Sequence, residues 1–455
     1  MGQHGLVTTS TSPDDDSPAA LVWFRSDLRL ADNPAWAAAT SRHDRVLALF
    51  VLDRRFLDGA GPQRRALFCA HLGALDQRLR EQGGRLVIRP ADTDLPVPEA
   101  ASRALSEVVE ETGARALHLN ADVGPTAVAR DELVAERLTT PEAGVQVHTW
   151  WGRTVHRPGT VLTKKGTLSR VFTPFHREWQ ATALEEWPEP GDAELLVLEG
   201  VEPPEPETQP CMEPGELAAR DRLEAWLGSV DDYEDSRNLP AVPGTSQLSA
   251  DLKFGTISAR RIAAETGDAT EGRAAFVRQL AWRDWYTHMM WENPAMADSA
   301  VRSEYDGIAW QDDPDEFAAW CAGRTGYPIV DAGMRQLVET GWMHNRLRMI
   351  CASFLVKDLL VDWRKGERFF RHHLIDADLS QNVGNWQWVA GTGPDAAPYF
   401  RVFNPTSQQE RWDPTGEFVT RWVDPDDPDY PEPIVDHAAA RDRALAAYRA
   451  AVGGD

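Results

Sequence analysis

From Gly341 to Pro405 the chain reads GWMHNRLRMICASFLVKDLLVDWRKGERFFRHHLIDADLSQNVGNWQWVAGTGPDAAPYFRVFNP, in which tryptophan, arginine, histidine and amide side chains interleave with apolar runs. No metal-ligand spacing and no nucleophile elbow interrupts it. Such a composition suits a buried aromatic ligand beneath a polar, partly cationic mouth. In GWMHNRLRMI, Asn345, Arg348 and Met349 share a helix face, whereas Arg346 points about 200° from Arg348 at roughly 100° per residue. One arginine can then pair inward while its neighbour reaches a phosphate. Asp376 and Asp378, in LIDADL, offer two carboxylates, but no third ligand stands near enough to make a metal site, and none is expected.

Two upstream segments add polar chemistry. In YEDSRNLPAVPGTSQLS, Pro-Gly makes a turn, after which Thr245, Ser246 and Ser249 supply hydroxyls and backbone N–H groups. That set can hold a phosphate with little positive charge, or can simply cap the helix-prone run that follows. In VRQLAWRDWY, Gln279, Trp282 and Arg283 stand at i, i+3 and i+4, hence on one face. An aromatic beside an amide suits stacking on, and edge-reading of, an extruded base; a core tryptophan with surface neighbours is the alternative. Tryptophan outnumbers tyrosine 18 to 7, and most of these rings are expected to anchor cores. Arg401 and Arg411 extend the possible cationic rim.

The elements that position these residues divide the chain. At 455 residues it exceeds a comfortable single core, so two domains are expected. Residues 1–19 are polar and acidic and predict a disordered tail rather than a signal peptide. Over 20–150, the runs LVWFR, VLALFVLD, RLVIR, ALHLN and VQVHTW predict buried strands alternating with helices at 63–82, 99–112 and 126–138. This is an α/β pattern with a doubly wound parallel sheet, and no GxGxxG follows its first strand. Residues 151–215, with VEPPEPETQP near their end, predict an interdomain linker. From 216 to 455 helical periods dominate, at 216–228, 257–266, 273–291, 329–340 and 345–360, predicting an all-helical second domain.

The net charge of −24 would repel nucleic acid unless basic residues gather on one face. Lysine occurs only at 164, 165, 253, 357 and 365, so arginine carries nearly all the positive charge. Four scattered cysteines, Cys69, Cys211, Cys321 and Cys351, fit a reducing compartment. With no membrane-length apolar run, a cytoplasmic, soluble monomer is expected.

From about Ala20 to Val423, and most specifically from Tyr233 onward, the chain closely resembles class I cyclobutane pyrimidine dimer photolyases of the photolyase/cryptochrome family. The resemblance implies an all-helical domain that binds FAD, active in its reduced form, and acts on UV-damaged DNA. It implies flavin contacts from Tyr233, Thr245, Ser246, Gln247, Leu248, Ser249, Arg283, Arg348, Asp376, Ala377, Asp378 and Asn382, the last beside flavin N5. It implies an electron-hopping chain through Trp310, Trp363 and Trp386. Gln279, Asn345 and Met349 would face the lesion, and Arg237, Gln279, Trp282, Asn345, Arg346, Trp388 and Arg401 would contact DNA.

Gln279 stands where class I cyclobutane-dimer enzymes usually carry Glu, and here the sequence resembles (6-4) photoproduct enzymes. Asn345 and Met349 match the cyclobutane-dimer enzymes instead. Asn382 differs from the Asp or Cys of many cryptochromes, which favours repair over a cryptochrome-like blue-light sensor. NADVGPTAVARD aligns with the family's antenna segment, with Gly124 where antenna-binding enzymes commonly have Glu, whereas Lys253 resembles a residue of deazaflavin users. An 8-hydroxy-5-deazaflavin antenna, a methenyltetrahydrofolate antenna and no antenna all stay open.

Overall fold

The structure, a computed structural model, describes residues 18–396, 398 and 400–453. Residues 1–17 of the expected tail lie outside them, and Ala19 is already buried against the sheet. Five parallel strands, β1 (Ala20–Phe24), β2 (Arg45–Leu52), β3 (Leu86–Pro90), β4 (Ala116–Asn120) and β5 (Gln146–Trp150), lie in the order β3-β2-β1-β4-β5. Side chains alternate between the faces of a strand, so each face needs its own cover. Ala20, Val22 and Phe24 pack with residues of α1 (Pro34–Arg42) and α2 (Pro62–Arg80). Leu21 and Trp23 pack with residues of α3 (Val97–Thr112) and α4 (Pro125–Leu138). The sheet is therefore doubly wound, and its carboxyl ends face the helical unit.

The stretch read as a linker is more ordered than its composition suggested. It holds α5 (Phe172–Ala181), whose Phe172, Phe175 and Trp179 are buried in the helical core, and β6 (Glu194–Leu195), which pairs with β2. The proline- and glutamate-rich composition describes only its second half. The aromatic spacing i, i+3, i+7 ahead of it is a one-sided helix too short to stand out by periodicity.

The helical unit is built around α6 (Gly215–Leu227), α7 (Ser249–Phe254), α8 (Glu271–Glu292), α9 (Pro328–Thr340), α10 (Asn345–Ser353), α11 (Trp363–His373), α12 (Leu379–Ala390), α13 (Pro405–Trp412) and α14 (His437–Ala451). The helix expected over 345–360 is α-helical only through Ser353 and continues as a π-helical turn over Phe354–Asp358. A 3.6-residue period cannot register one inserted residue. Two glycines let the site helices approach closely. A Cβ on Gly384 would lie 2.2 Å from the Tyr286 ring, and one on Gly366 would lie 2.2 Å from Trp386 Cη2. Any larger residue at either position would push α12 off α8 or α11.

Candidate cofactor and nucleic-acid site

Helices α10, α11 and α12 enclose a cavity with the loop between α11 and α12. It is lined by Asn345, Arg348, Met349, Phe370, Asp376, Ala377, Asp378, Asn382 and Trp386, among others. Eight of the residues expected at the site thus meet at one place. The cavity measures about 80 Å³ and is partly open, so a dinucleotide would have to extend through its mouth.

The polar groups here are held by specific partners. Arg348 grips Asp376 with both prongs of its guanidinium, Nη1–Oδ1 3.0 Å and Nη2–Oδ2 2.8 Å, while its Nε donates to Met343 O at 2.8 Å. Asp378 caps α12, Oδ1 accepting from the Ser380 and Gln381 N–H groups. Burial alone would raise the Asp378 carboxyl, but Arg153, then Arg283 and Lys253, hold it below the usual range. The Asn382 amide donates to Glu367 O at 3.0 Å and Oε1 at 2.9 Å, which fixes its plane and leaves Oδ1 as its remaining polar end. Asp378, Asn382 and Trp386 are spaced four apart along α12, so one helix face presents all three.

Trp386 and Trp363 are buried, while Trp310 is partly exposed and meets Tyr448 edge-on, centroids 6.0 Å apart. The rings packed on Trp386 are Phe370 at 4.9 Å and Trp320 at 6.3 Å. Trp320 was missed in the sequence, where EFAAWC looks like any core helix. Glu367 was missed as well, because a single glutamate on a charged helix carries no signal.

The loop before α7 turns at Gln247, whose φ of 55° lies in the left-handed region, followed by Leu248 at φ −76° and ψ 1°. A turn of that kind can aim successive N–H groups to one side, an arrangement suited to receiving an anion. Thr245 and Ser246 are half-buried, Gln247 and Ser249 exposed, and Ser246 Oγ accepts from the Leu248 N–H at 3.3 Å. Tyr233 is buried edge-on against Trp226 and Phe276. None of these loop residues lines the α10–α12 cavity.

Helix α8 carries Gln279, Trp282 and Arg283. The Arg283 guanidinium donates to Arg153 O and Leu252 O at the seam between the two units, outside the α10–α12 cavity. Its position on the face of Trp282 did not reveal this, because the acceptors come from distant segments. Gln279 is half-buried and donates to Ala275 O at 3.1 Å. Trp282 is half-buried too, with Phe172 stacked on it. Trp388 is half-buried against the helical core.

Arginines gather around Arg346. Arg346 donates to Asn238 Oδ1 at 2.6 Å and lies over Trp412, 4.3 Å from its centroid, with Arg411 over the same ring at 4.4 Å. Burial, and then Arg411, Arg237 and Arg401, pull the Arg346 guanidinium down to about 10. Such mutual repulsion marks a place where negative charge is welcome. Arg346 and Arg348 do point apart, as the helix geometry required.

A second cavity, about 420 Å³, opens at the carboxyl ends of β1 to β4. Trp23, Phe50, Phe68 and Phe254 form apolar walls, and Arg25, Arg64, Arg130 and Lys253 supply charge. Burial lowers the Lys253 ammonium, against support from Asp378 and Asp122. Gly124 also lines this space. Among the described residues, no group of three His, Cys, Asp or Glu could hold a metal ion, and no helix is long and apolar enough to cross a membrane.

Fold and site define a two-unit protein in which a parallel α/β unit abuts a helical unit built to seat an aromatic cofactor beneath a cationic mouth. Residues 20–191 match the DNA photolyase family and residues 276–426 match the FAD binding domain of DNA photolyase. The deoxyribodipyrimidine photo-lyase of Agrobacterium fabrum is 38% identical, over 94% of this chain and 97% of its own. A bacterial class III photolyase from Agrobacterium tumefaciens, solved by crystallography, superposes with a TM-score of 0.86 at 35% identity, covering 98% of this chain and 99% of its own. An archaeal photolyase from Sulfolobus tokodaii, described with two FAD molecules and a light-harvesting role for one, gives 0.82 at 32% identity, covering 95% and 100%. The chain belongs to the DNA photolyase family. Its likeness over nearly the whole length extends to an enzyme described as class III, whereas its motifs were read against class I enzymes.

Proposed function

We propose that this protein is a deoxyribodipyrimidine photo-lyase that splits cyclobutane pyrimidine dimers in DNA under blue light. The observation that carries the proposal is the joining of the Arg348–Asp376 pair, the oriented Asn382 amide and Trp386 around one slot beside an arginine-rich mouth. The residues fit FAD: an aromatic wall and an amide suit the ring system, and the left-handed turn at Gln247 suits a pyrophosphate. Bound FAD in its reduced form supplies, on absorbing light, the electron that opens the cyclobutane ring and takes it back afterwards.

The chain's own part is positioning, exclusion of water and electrostatics. Asn382 is assigned to the flavin edge, and Arg348 balances Asp376 so that no uncompensated carboxylate faces the ring. Tyr233, Arg283 and the Thr245–Ser249 loop are assigned to the rest of the cofactor. Trp386, Trp363 and Trp310 are assigned to electron supply when the flavin is oxidised. The lesion, flipped out because its bonds are inaccessible within the stack, would meet Gln279, Trp282, Asn345 and Met349. Arg237, Arg346, Trp388 and Arg401 would hold the flanking strand. The division at 20–150, 151–215 and 216–455 is retained, with α5 belonging physically to the helical core.

The second cavity suits an anionic, planar antenna pigment, for which 8-hydroxy-5-deazaflavin and methenyltetrahydrofolate are the candidates. Four free cysteines support a reducing, cytoplasmic setting. One observation favours a second reading, (6-4) photoproduct repair: the neutral amide at Gln279. Oligonucleotides carrying one defined lesion each, illuminated with reductant and compared with a dark control, decide the matter. Reversal of the cyclobutane dimer is expected. Reversal of the (6-4) product alone would replace the proposal, and loss of both with flavin bound would move the protein to the sensor class.

A further inference from the structure

The seam between the two units holds a group of charged side chains centred on Arg153, which follows β5. One prong of its guanidinium, Nη1, pairs with Asp122 at the end of β4; the other, Nη2, pairs with Asp378 Oδ2 at 2.8 Å. Its backbone carbonyl accepts from Arg283 of α8. Arg153 thus ties the α/β unit to two helices of the other unit.

The two oxygens of Asp378 have separate partners. Oδ1 accepts from the first N–H groups of α12, and Oδ2 is held by Arg153. Without the guanidinium, Asp378 Oδ2 loses its hydrogen-bonded partner, and only the charges of Arg283 and Lys253 remain to offset its repulsion from Asp122. The consequence is carried along α12, because Asn382 and Trp386 lie one and two turns beyond the cap on the same face. Arg153 itself does not line the α10–α12 cavity. Ala377, next to Asp378, lines both that cavity and the one at the strand ends, so the same short segment is a wall of both.

We propose that Arg153 is a positioning residue for the flavin: by fixing the Asp378 cap to the α/β unit it sets where α12 presents Asn382 and Trp386. The proposal rests on the flavin reading of that cavity. It was not visible in the sequence, since Arg153, Asp122 and Asp378 are far apart along the chain.

The test uses the full-length flavin-loaded protein with Arg153→Met and Arg153→Lys. Three quantities are read: the flavin dissociation rate, the rate at which light reduces the oxidised flavin, and the urea midpoint of the flavin-free protein. Arg153→Met is expected to release flavin at least about tenfold faster and to slow photoreduction severalfold, because α12 carries both contacts. Arg153→Lys is expected to fall between it and the parent, since one ammonium keeps the charge but cannot reproduce a planar fork held by two carboxylates. Both rates within twofold of the parent in Arg153→Met would overturn the proposal, even if the urea midpoint falls, because Arg153 would then be a structural brace only. Should Arg153→Met not fold, Arg153→Lys decides by the same two rates. A parent protein that binds no FAD would instead reject the flavin reading itself.

Discussion

Phe172 lies flat on Trp282, their ring centroids 3.6 Å apart and their planes 10° from parallel. Trp285 meets both edge-on, and the Phe172 N–H is held by Asp395 Oδ2 at 2.9 Å. One face of Trp282 is therefore closed by the segment read as a linker, and an extruded base has only the opposite face to stack on. Phe172→Ala removes a buried ring that props this arrangement. It should destabilise the protein by about 3 kcal/mol and weaken lesion binding more than binding of undamaged DNA. Urea unfolding and a paired binding assay check both effects; equal losses for damaged and undamaged DNA would disconnect Phe172 from the lesion.

The Arg348–Asp376 pair makes a stability prediction. Asp376 is buried, so Arg348→Met leaves a carboxylate without its partner, at a cost of about 3 kcal/mol. The loss should appear in the flavin-free protein, together with faster flavin release. A double change, Arg348→Met with Asp376→Asn, should recover part of the stability but not the flavin retention. Full recovery of both would assign the pair to folding alone.

Stability should fall in mild acid. Burial pushes His71 and His118 down to about 3 and His288 and His344 down to about 4. The unfolded chain protonates these rings near their ordinary value of about 6.5, whereas the folded protein does not. Their stabilisation is therefore complete above about pH 6.5 and is lost as pH falls toward 4, each contributing up to about 1.4 kcal/mol per pH unit. His437, raised by its bond to Asp358, acts in the opposite sense, as do the carboxyls of Asp284, Asp358 and Glu367, which burial raises; the four strongly lowered histidines are expected to outweigh them. A urea midpoint at pH 5 equal to that at pH 7.5 would contradict this. In His118→Gln the slope should be shallower.

At Gln279, a carboxylate could accept hydrogen bonds from both pyrimidine N3–H groups and balance charge placed there, whereas the amide has one acceptor and no charge. Gln279→Glu should raise cyclobutane-dimer repair per absorbed photon. A quantum yield that stays level or drops is the outcome against it.

Arg346 should contact phosphate rather than base. Arg346→Ala is expected to weaken binding to all sequences alike and to reduce the slope of log K against log salt by about 1. A change that depends on the lesion or on the flanking bases would place Arg346 in recognition instead.

How much was legible in the sequence follows from the range of the interactions. Strand alternation, the helix faces and the grouping of Asn345, Arg348 and Met349 are local properties of spacing, and the structure repeats them within a few residues. So is the divergence of Arg346 from Arg348. The composition also set the need for a local arginine cluster on an acidic chain. The tertiary structure alone decided what closes distances across the chain. It brought Phe172 onto Trp282, Glu367 to Asn382, Trp320 to Trp386, and Arg153 between Asp122 and Asp378. It turned Arg283 toward backbone carbonyls at the seam and wound Phe354–Asp358 into a π-helical turn. These depend on which surfaces are buried together, and burial is a property of the whole packed chain that no local period encodes.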